Sequence, residues 1–359
     1  MRRGATELVW PAALLRPVDA VLTYLDLNHW VALAKAAVGH RDGRHAPALE
    51  ALRALRATGA VIPLSATHVM EMAAIGSRRQ RRDVTSVMEE LSGFDVLVSR
   101  AVVQELELEA VLDAFGRPRD VPFTSVPILG RGVLTAFGRV GGLRVRQRET
   151  GEDVTEEVRA SWPEGPTAFD AFQEEAERSL DRAVLAGPQD DEEERELRVD
   201  GWDPMRALKM IDDNAAFEIE LSNRLDQNLH WRRQRVRDVV SARHLAFELL
   251  EKLQAGLAAR GLELEDVCGD PESARKLVDA MPTADVCVSL KAAAHRNPQT
   301  IWTHNRLYDI DALSVAVPYC DFVATDREAL HALESEGVPQ RMRTTVVATL
   351  DELVEAMTR

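Results

Sequence analysis

The sequence is poor in cysteine and in aromatic residues, and it has no long hydrophobic run. Three cysteines in 359 residues lie far apart, at positions 268, 287 and 320. They form no CxxC pair and no disulfide framework, so we expect a cytoplasmic protein in a reducing compartment. Aromatic residues make up 5% of the chain, which argues against base-stacking platforms of the RRM or OB kind. No run approaches the roughly 18 apolar residues of a membrane span.

Positive charge is also in deficit, with 44 basic residues against 59 acidic ones and a net charge of −15. A chain this acidic is not a bulk nucleic-acid binder, although a local basic groove or a metal site built from carboxylates remains compatible with it. Glu7 and Arg16 bracket the apolar stretch near the start too tightly for a signal peptide. A hydrophobic content of 45% excludes wholesale disorder.

Both ends of the chain alternate between strand and helix patterns. At the start we expect strands over 20–27, 60–65 and 94–100, with helices over 28–39, 46–59 and 66–93, the last as one helix or two. At the end we expect helices over 307–320, 326–337 and 350–357, with strands over 321–325 and 342–349. Such alternation indicates one parallel sheet built from the two ends of the chain.

The middle of the chain, from about 101 to 300, is mostly helical in pattern and rich in charge. A loop is expected around 116–142, and the acidic run at 187–198 suits a solvated loop or a helix N-terminus. The predicted fold class is therefore α/β, a parallel sheet flanked by helices with a large, mainly α-helical insertion. We place the sheet domain at 18–100 plus 283–359 and the insertion or cap at 101–282.

Four acidic residues stand where this sheet would bring them together. Asp26 and Asp326 follow strands, Glu71 lies early in the helix after the second strand, and Asp309 begins a helix. Functional residues of a parallel sheet gather at the carboxyl ends of its strands. Grouped carboxylates repel one another, and a hard cation such as Mg²⁺ or Mn²⁺ relieves this. Such a site can activate water for phosphodiester hydrolysis.

Each of these acids also has a purely structural interpretation. Asp26 could cap the following helix, and Glu71 could be a solvated helix carboxylate. Asp309 could be a first-turn partner of the helix dipole. Asp326 could be an ordinary first-turn acid, because Thr325-x-x-Glu328 matches a capping box.

The pattern resembles the PIN-domain nucleases. The segments that carry the resemblance are YLDLN around Asp26, SATHVME ending at Glu71, NRLYDIDALSVAVPYCD around Asp309, and VATD ending at Asp326. They cover about 20–100 and 283–359, under half of the chain. The resemblance implies a PIN-like sheet and Mg²⁺- or Mn²⁺-dependent endonucleolytic cleavage, of RNA more than of DNA. Asp26, Glu71, Asp309 and Asp326 would be the catalytic and metal-binding residues, and Thr325 and Asn305 would contact substrate.

The third carboxylate has two candidates. Asp309 and Asp311 lie about 200° apart on a helix, so both cannot face one metal equally. The distance to Pro318-Tyr319 favours Asp309, whereas a match of DALSVA to the family's helix would favour Asp311. Arg306 stands where the resemblance calls for an acid. Asp321 is expected to cap or position the strand that follows it.

Two basic clusters have open interpretations. Arg78, Arg79, Arg81 and Arg82 follow Glu71 and suit either contact with an RNA backbone or a solvated helix terminus. A second cluster at 232–237 fits a solvated helix face. Arg237-x6-His244 loosely resembles the motif of metal-independent HEPN ribonucleases, which gives one alternative function.

The sequence therefore predicts a metal-dependent endoribonuclease acting on single-stranded or structured RNA. By resemblance it would be a toxin or phage-defence effector, with an antitoxin or other regulatory protein and self-association as further partners. The alternative is a catalytically inactive PIN-like scaffold. A scaffold would let some of the four carboxylates point away or pair them with arginine.

Overall fold

The computed structural model describes residues 7–39, 44–115, 118–119, 121–139, 141–199 and 203–358, with the backbone alone over 204–213. The strands in chain order are β1 (Leu14–Leu15), β2 (Thr23–Leu25), β3 (Asp95–Leu97), β4 (Val126–Pro127), β5 (Leu129–Arg131), β6 (Phe322–Ala324) and β7 (Thr345–Val347). The first helices are α1 (Leu27–Ala37), α2 (Ala46–Ala57), α3 (Ala66–Ala74), α4 (Arg78–Ser92) and α5 (Arg100–Ala114).

The middle of the described chain is helical, as predicted. Its helices are α6 (Thr155–Ala160), α7 (Pro166–Ala186), α8 (Asp191–Val199), α9 (Pro204–Gln227), α10 (Val236–His244), α11 (Leu250–Ala258), α12 (Leu264–Cys268) and α13 (Pro271–Ala280). The last helices are α14 (Pro282–Arg296), α15 (His304–Tyr319), α16 (Arg327–Ser335), α17 (Val338–Met342) and α18 (Leu350–Thr358). Within the described residues, no helix combines the length and the apolar character needed to cross a membrane.

The two ends of the chain share one parallel sheet, which confirms that prediction. β2 pairs with β6, with Tyr24 opposite Val323, and β6 pairs in turn with β7. Asp321 fixes this arrangement, because its Oδ2 accepts a hydrogen bond from Leu22 N at 2.8 Å and pairs with Arg16 at 2.5 Å. The acid expected to position the strand therefore does so, and it joins segments almost 300 residues apart.

The strand predicted over 60–65 is an extended segment with a break in its ladder. Thr23 N donates to Val61 O at 2.9 Å on one side. On the other side, Leu64 N donates to Asp95 O and Leu97 N donates to Leu64 O, both at 2.8 Å. Pro63 has no amide hydrogen, so regular pairing stops there. The parallel order is consequently β3, segment 61–64, β2, β6 and β7.

The loop predicted around 116–142 contains regular structure that the sequence pattern missed. β5 pairs antiparallel with β3, β4 pairs parallel with β1, and a 3₁₀ turn follows at Val133–Phe137. These strands are two or three residues long and rich in glycine and proline, so they carry no readable alternation. α17 was likewise not expected. The acidic run, in contrast, forms the first turn of α8, one of its two predicted forms.

Apolar clusters cover both faces of the sheet and extend into the helical middle. One cluster joins Leu22, Tyr24 and Val323 to α14 and α15, and the other joins Leu25, Val96 and Ala324 to α1, α2, α4 and α18. A third cluster packs α5 against α9–α11, α13 and α14. Because α5 and α14 contribute to both the first and third clusters, the insertion and the sheet domain share hydrophobic core.

A buried carboxylate fastens these parts together. Glu107 on α5 accepts hydrogen bonds from Thr283 N, at 3.0 and 3.1 Å, and from Thr283 Oγ1 at 2.6 Å, at the start of α14. Tyr319 Oη at the end of α15 donates to it at 2.6 Å. A carboxylate at a helix N-terminus is favoured by the exposed amides there. Glu107 therefore joins α5 to the start of α14 and the end of α15.

Candidate carboxylate site

Asp26 and Asp326 are brought together because each begins the helix that follows its strand. Asp26 follows β2 and caps α1, with Oδ1 accepting from Leu27 N at 2.7 Å. Asp326 follows β6 and caps α16, with Oδ1 accepting from Ala329 N at 2.7 Å. Since β2 and β6 are paired neighbours, both carboxylates lie at the same edge of the sheet. The capping box with Thr325 as the cap was therefore wrong, because Asp326 itself is the N-cap.

Glu71 on α3 and Asp309 on α15 complete the cluster. Burial, and then the charges of Asp26 and Asp309, raise the pKa of Glu71 to about 8. Burial, and then the charges of Asp26 and Asp326, raise the pKa of Asp309 to about 7. Burial and Asp326 raise the pKa of Asp26 to about 6, against the opposing hydrogen bond from Leu27 N. Asp26, Glu71 and Asp309 are thus close enough to carboxylates of this group for the neighbouring charges to raise their pKa values.

One oxygen of the cluster has no hydrogen-bond donor. Asp26 is 7% exposed, and within the described residues no group donates to its buried Oδ2. A buried, unpaired carboxylate oxygen costs a large desolvation energy. A proton, a water molecule or a cation from outside the chain would satisfy such an oxygen.

The two candidates for the third carboxylate point to different sides of α15. Asp309 lies in the field of Asp26 and Asp326, whereas Asp311 forms an ion pair with Arg100. For Asp311 to join the cluster, this ion pair would have to break. Arg306 pairs with Glu328 at 2.6 Å, and its charge opposes the rise in the pKa of Asp309.

A cavity of about 470 Å³ adjoins the cluster between α14, α15 and α16. Asp309 and Asp326 line it together with Asn305 and Arg306, so the structure places Asn305 where a substrate could meet it. Thr325 is 1% exposed, and its backbone oxygen lies 3.3 Å from His29 Nε2. That burial leaves no surface for a phosphate on Thr325, and its predicted contact with substrate has no support here.

The arginine run belongs to the next helix, and its contacts are structural. Ser77 caps α4, so these arginines occupy a helix N-terminus, where cations are disfavoured by the dipole. Arg78 pairs with two acids of α8, Asp191 at 2.5 Å and Glu194 at 3.0 Å. These ion pairs offset the unfavourable interaction of its charge with the helix dipole. The helix over 66–93 is consequently two helices.

Arg81 corrects the prediction of an RNA contact most clearly. It is 8% exposed and donates to three backbone oxygens, those of Ala186 and Ile75 at 2.6 Å and that of Pro188 at 3.2 Å. Arg82 donates to Gln189 at 3.2 Å. Arg79 lies 3.8 Å from Asp83, and its side chain is 80% exposed. Arg79 and Arg82 are thus the members of the run that stay exposed.

Tyr24 and His68 are neighbours of the cluster that sequence reasoning missed. The Tyr24 ring stacks on His68 with centroids 5.1 Å apart, and burial followed by the charge of Asp26 raises the pKa of Tyr24. His68 Nδ1 accepts from Ser65 N at 3.0 Å, and its Nε2 lies 2.8 Å from Leu25 O. Burial lowers the pKa of His68 to about 4. Tyr24 could have been found, because residues two apart on a strand share a face.

Arg237 and His244, the pair that resembles the HEPN motif, contact different partners. Arg237 pairs with Asp279 at 2.6 Å and with Asp285, and donates to Ser289 at 2.8 Å. His244 lies 3.3 Å from Gln104 and 3.1 Å from Glu248. Arg237 is therefore committed to holding α10 against α13 and α14, which favours a structural role.

A second group of possible metal ligands lies among the described residues. There, His244, Glu248 and Cys287 are the group of three whose ligand atoms lie within 4.8 Å of one another. Arg100 and Lys291 already pair with Glu248, so this group is balanced by cations. Within the described residues, no three of the four carboxylates meet this distance.

Comparison of the chain with family models, curated proteins and solved structures finds no match in any of the three. The resemblance to PIN-domain nucleases therefore has only the residues themselves as support.

Proposed function

We propose that this protein is a divalent-metal-dependent endoribonuclease of PIN type, which hydrolyses phosphodiester bonds through Asp26, Glu71, Asp309 and Asp326. The observation that carries the proposal is the buried Oδ2 of Asp26, which has no donor among the described residues and lies among three other carboxylates. A cation is the partner that would let this oxygen keep its charge.

The donor set fits a hard cation. Carboxylate oxygens are the ligands that Mg²⁺ and Mn²⁺ prefer, and Mg²⁺ sites use one or two carboxylates together with water. Asp26, Asp309 and Asp326 would hold the ion, with Glu71 as a ligand or as an orienter of water. When bound, such an ion supplies charge stabilisation and lowers the pKa of water.

The residues themselves are suited to proton transfer. A carboxyl group whose pKa is about 8, as at Glu71, exchanges its proton near neutral pH. General acids and bases work best with a pKa close to the operating pH. With a cation bound, the pKa of Glu71 would fall, and its carboxylate would then accept a proton during attack on phosphorus, while Asp26 and Asp326 stay fixed by their helix caps.

Two features favour the enzyme over the alternatives. Within the described residues, no lysine, arginine or histidine nitrogen lies within 4.0 Å of a carboxylate oxygen of the four acids, so none of the described cations pairs with them as a scaffold would. The Arg237 contacts leave the HEPN-type mechanism without a free arginine. An RNA substrate, and control by an antitoxin or a role in phage defence, rest on the resemblance and stay predictions.

The test is cleavage of labelled single-stranded RNA, tRNA and DNA with Mn²⁺, with Mg²⁺ and with EDTA. We expect RNA cleavage by the wild type with either metal and none with EDTA. Asp26→Asn and Asp309→Asn should each lower the rate at least 100-fold, since they remove charge that the metal needs.

Asp311→Asn is the matched control on the same helix, and it should keep metal-dependent cleavage. Loss of cleavage in Asp311→Asn with full activity in Asp309→Asn would instead assign the third carboxylate to Asp311. Cleavage that resists EDTA and disappears in Arg237→Ala would overturn the proposal in favour of the helical middle. Absence of cleavage, together with no Mn²⁺ binding by calorimetry, would leave the scaffold.

A further inference from the structure

A second cavity, of about 310 Å³, lies on the other side of α15 from Asp309. Leu307 and Asp311 of α15 line it, together with residues of α9, α10, the turn after α10, and α14. α9 packs against both α3 and α15, the helices that carry Glu71 and Asp309. The cavity is thus separated from the carboxylate cluster by about one helix diameter, ~10–12 Å.

Two phenylalanines at the mouth of this cavity are exposed to solvent. Phe217 is 49% exposed and Phe247 is 72% exposed, and their ring centroids lie 6.2 Å apart at 33°. Phe247 belongs to a single turn of π-helix at Leu245–Leu249, which interrupts the helix between α10 and α11. Such turns occur frequently at functional sites. Exposed aromatic pairs of this kind offer faces for stacking.

Arg243 joins the two rings. Its guanidinium carbon lies 5.8 Å from the centroid of Phe217 and 5.3 Å from that of Phe247. In the part of the chain that the structure describes, no carboxylate oxygen lies within 4.0 Å of its nitrogens. Arg243 is therefore held by the aromatic rings and keeps its hydrogen-bond donors for a ligand.

The wall behind Arg243 is balanced in charge. Its acids Glu218, Glu248 and Asp311 are paired with Lys291 and Arg100. Although burial opposes it, the neighbouring Glu248 raises the pKa of His244 to about 9, so this ring adds a third cation at neutral pH. The wall thus holds three anions and three cations. Arg243 is a fourth cation, so the cavity lining carries one net positive charge, on a chain whose net charge is −15.

We propose that Phe217, Phe247 and Arg243 form a base-stacking subsite for single-stranded RNA, a proposal that rests on the proposed ribonuclease function for the identity of its ligand. Nucleic-acid bases stack on aromatic rings with little regard to sequence, and arginine both stacks and binds phosphate. The ~10–12 Å between the two sides of α15 is a span that a few nucleotides of single strand cover. The subsite would hold the strand beside the scissile bond.

The experiment measures binding of a fluorescently labelled 12-nucleotide single-stranded RNA by anisotropy, with the full chain in EDTA so that metal-dependent cleavage does not occur. The variants are the double substitution Phe217→Leu with Phe247→Leu, and Arg243→Lys, which keeps the charge and loses the planar group. Phe172→Leu is the matched control, because Phe172 is 57% exposed and also stacks on an aromatic ring. Its partner is Trp162, which does not line the cavity. A second probe carries abasic positions in the same backbone.

We expect the double variant to weaken binding about tenfold and Arg243→Lys to weaken it less, with Phe172→Leu unchanged. The abasic probe should bind the wild type as weakly as the double variant binds intact RNA. Equal binding of both probes, or unchanged binding by the double variant, would overturn the subsite. A third outcome would also overturn the subsite: the wild type sediments as an oligomer, and the double variant is a monomer that still binds RNA. The surface would then be a protein interface.

These outcomes separate the subsite from the proposed function. Cleavage lost in Asp26→Asn, together with unchanged RNA binding by the double variant, would support the nuclease and reject the subsite. RNA binding that depends on both phenylalanines, in a protein that cleaves nothing with Mn²⁺ or Mg²⁺, would support the subsite and reject the nuclease.

Discussion

Asp26 combines two tasks that place opposite demands on stability. One oxygen caps α1, while the other is buried without a donor among the described residues. Its pKa of about 6, above the ordinary 3.8, means that the folded chain disfavours the charged form. The protonated Asp26 therefore contributes to the free energy of unfolding in full below pH 4, and this contribution is lost as the pH rises through 6.

We therefore expect Asp26→Asn to stabilise the metal-free protein at pH 8 by about 1–3 kcal/mol, because the amide oxygen can still accept from Leu27 N while the charge is gone. Differential scanning calorimetry in EDTA would show this as a higher Tm. Asp311→Asn, which breaks an ion pair with Arg100, should lower it. A lower Tm for Asp26→Asn would contradict the electrostatic account of the cluster.

The positions of Asp26 and Asp326 could be predicted from the sequence because each directly follows a strand. The structural role of Arg81, in contrast, could not be predicted from the sequence. Its neighbours carry the same side chain, and each residue on a helix turns the side chain by about 100°, so a small error in the start of α4 changes which arginine faces inward. Only the Ser77 cap, read from the structure, fixes that start.

At the scale of elements, Arg81 ties the α3–α4 connection to the end of α7 through three backbone oxygens. Arg81→Lys should cost about 1–3 kcal/mol in the free energy of unfolding, because one ammonium group cannot reach all three acceptors and leaves some of them unpaired. Urea unfolding followed by circular dichroism would measure it.

Arg79→Lys is the matched control, since the Arg79 side chain is 80% exposed, and it should change the free energy of unfolding by less than about 0.5 kcal/mol. An Arg81→Lys variant as stable as this control would show that the backbone contacts contribute nothing measurable.

The elements themselves were predictable where their patterns were long. β2, β3, β6 and β7 all lie within expected strands, and the Thr349–Glu352 capping box before α18 is present, with Glu352 N donating to Thr349 Oγ1 at 3.2 Å. β4 and β5 were missed because two or three residues give no periodicity. The cluster depends on the pairing of β2 with β6, and no local sequence pattern indicates which distant strands pair.

At the scale of the whole molecule, buried carboxyl groups control how stability depends on pH. Burial and neighbouring charge raise the pKa of Asp26 to about 6, of Asp309 to about 7 and of Glu71 to about 8, and burial raises that of Glu107 to about 7. Each raised pKa removes stability as the pH rises through it.

The free energy of unfolding of the metal-free protein should therefore fall between pH 6 and pH 8.5. Mn²⁺ should restore part of it at pH 8 and little at pH 5, where protons already occupy the carboxyl groups. Urea titrations at several pH values, with and without Mn²⁺, would test this. Asp26→Asn should reduce the effect of Mn²⁺, whereas a stability that rises with pH in EDTA would contradict the expectation.

The pairing of β2 with β6 also bears on when the carboxylate cluster is assembled during synthesis. Asp326 leaves the ribosome about 300 residues after Asp26, which at ~5–20 residues per second is ~15–60 s later. Until β6 is translated, β2 lacks its neighbour and the four carboxylates cannot meet. Under the proposed nuclease function, a growing chain would thus stay inactive until its last strands are made, with its own topology delaying activation.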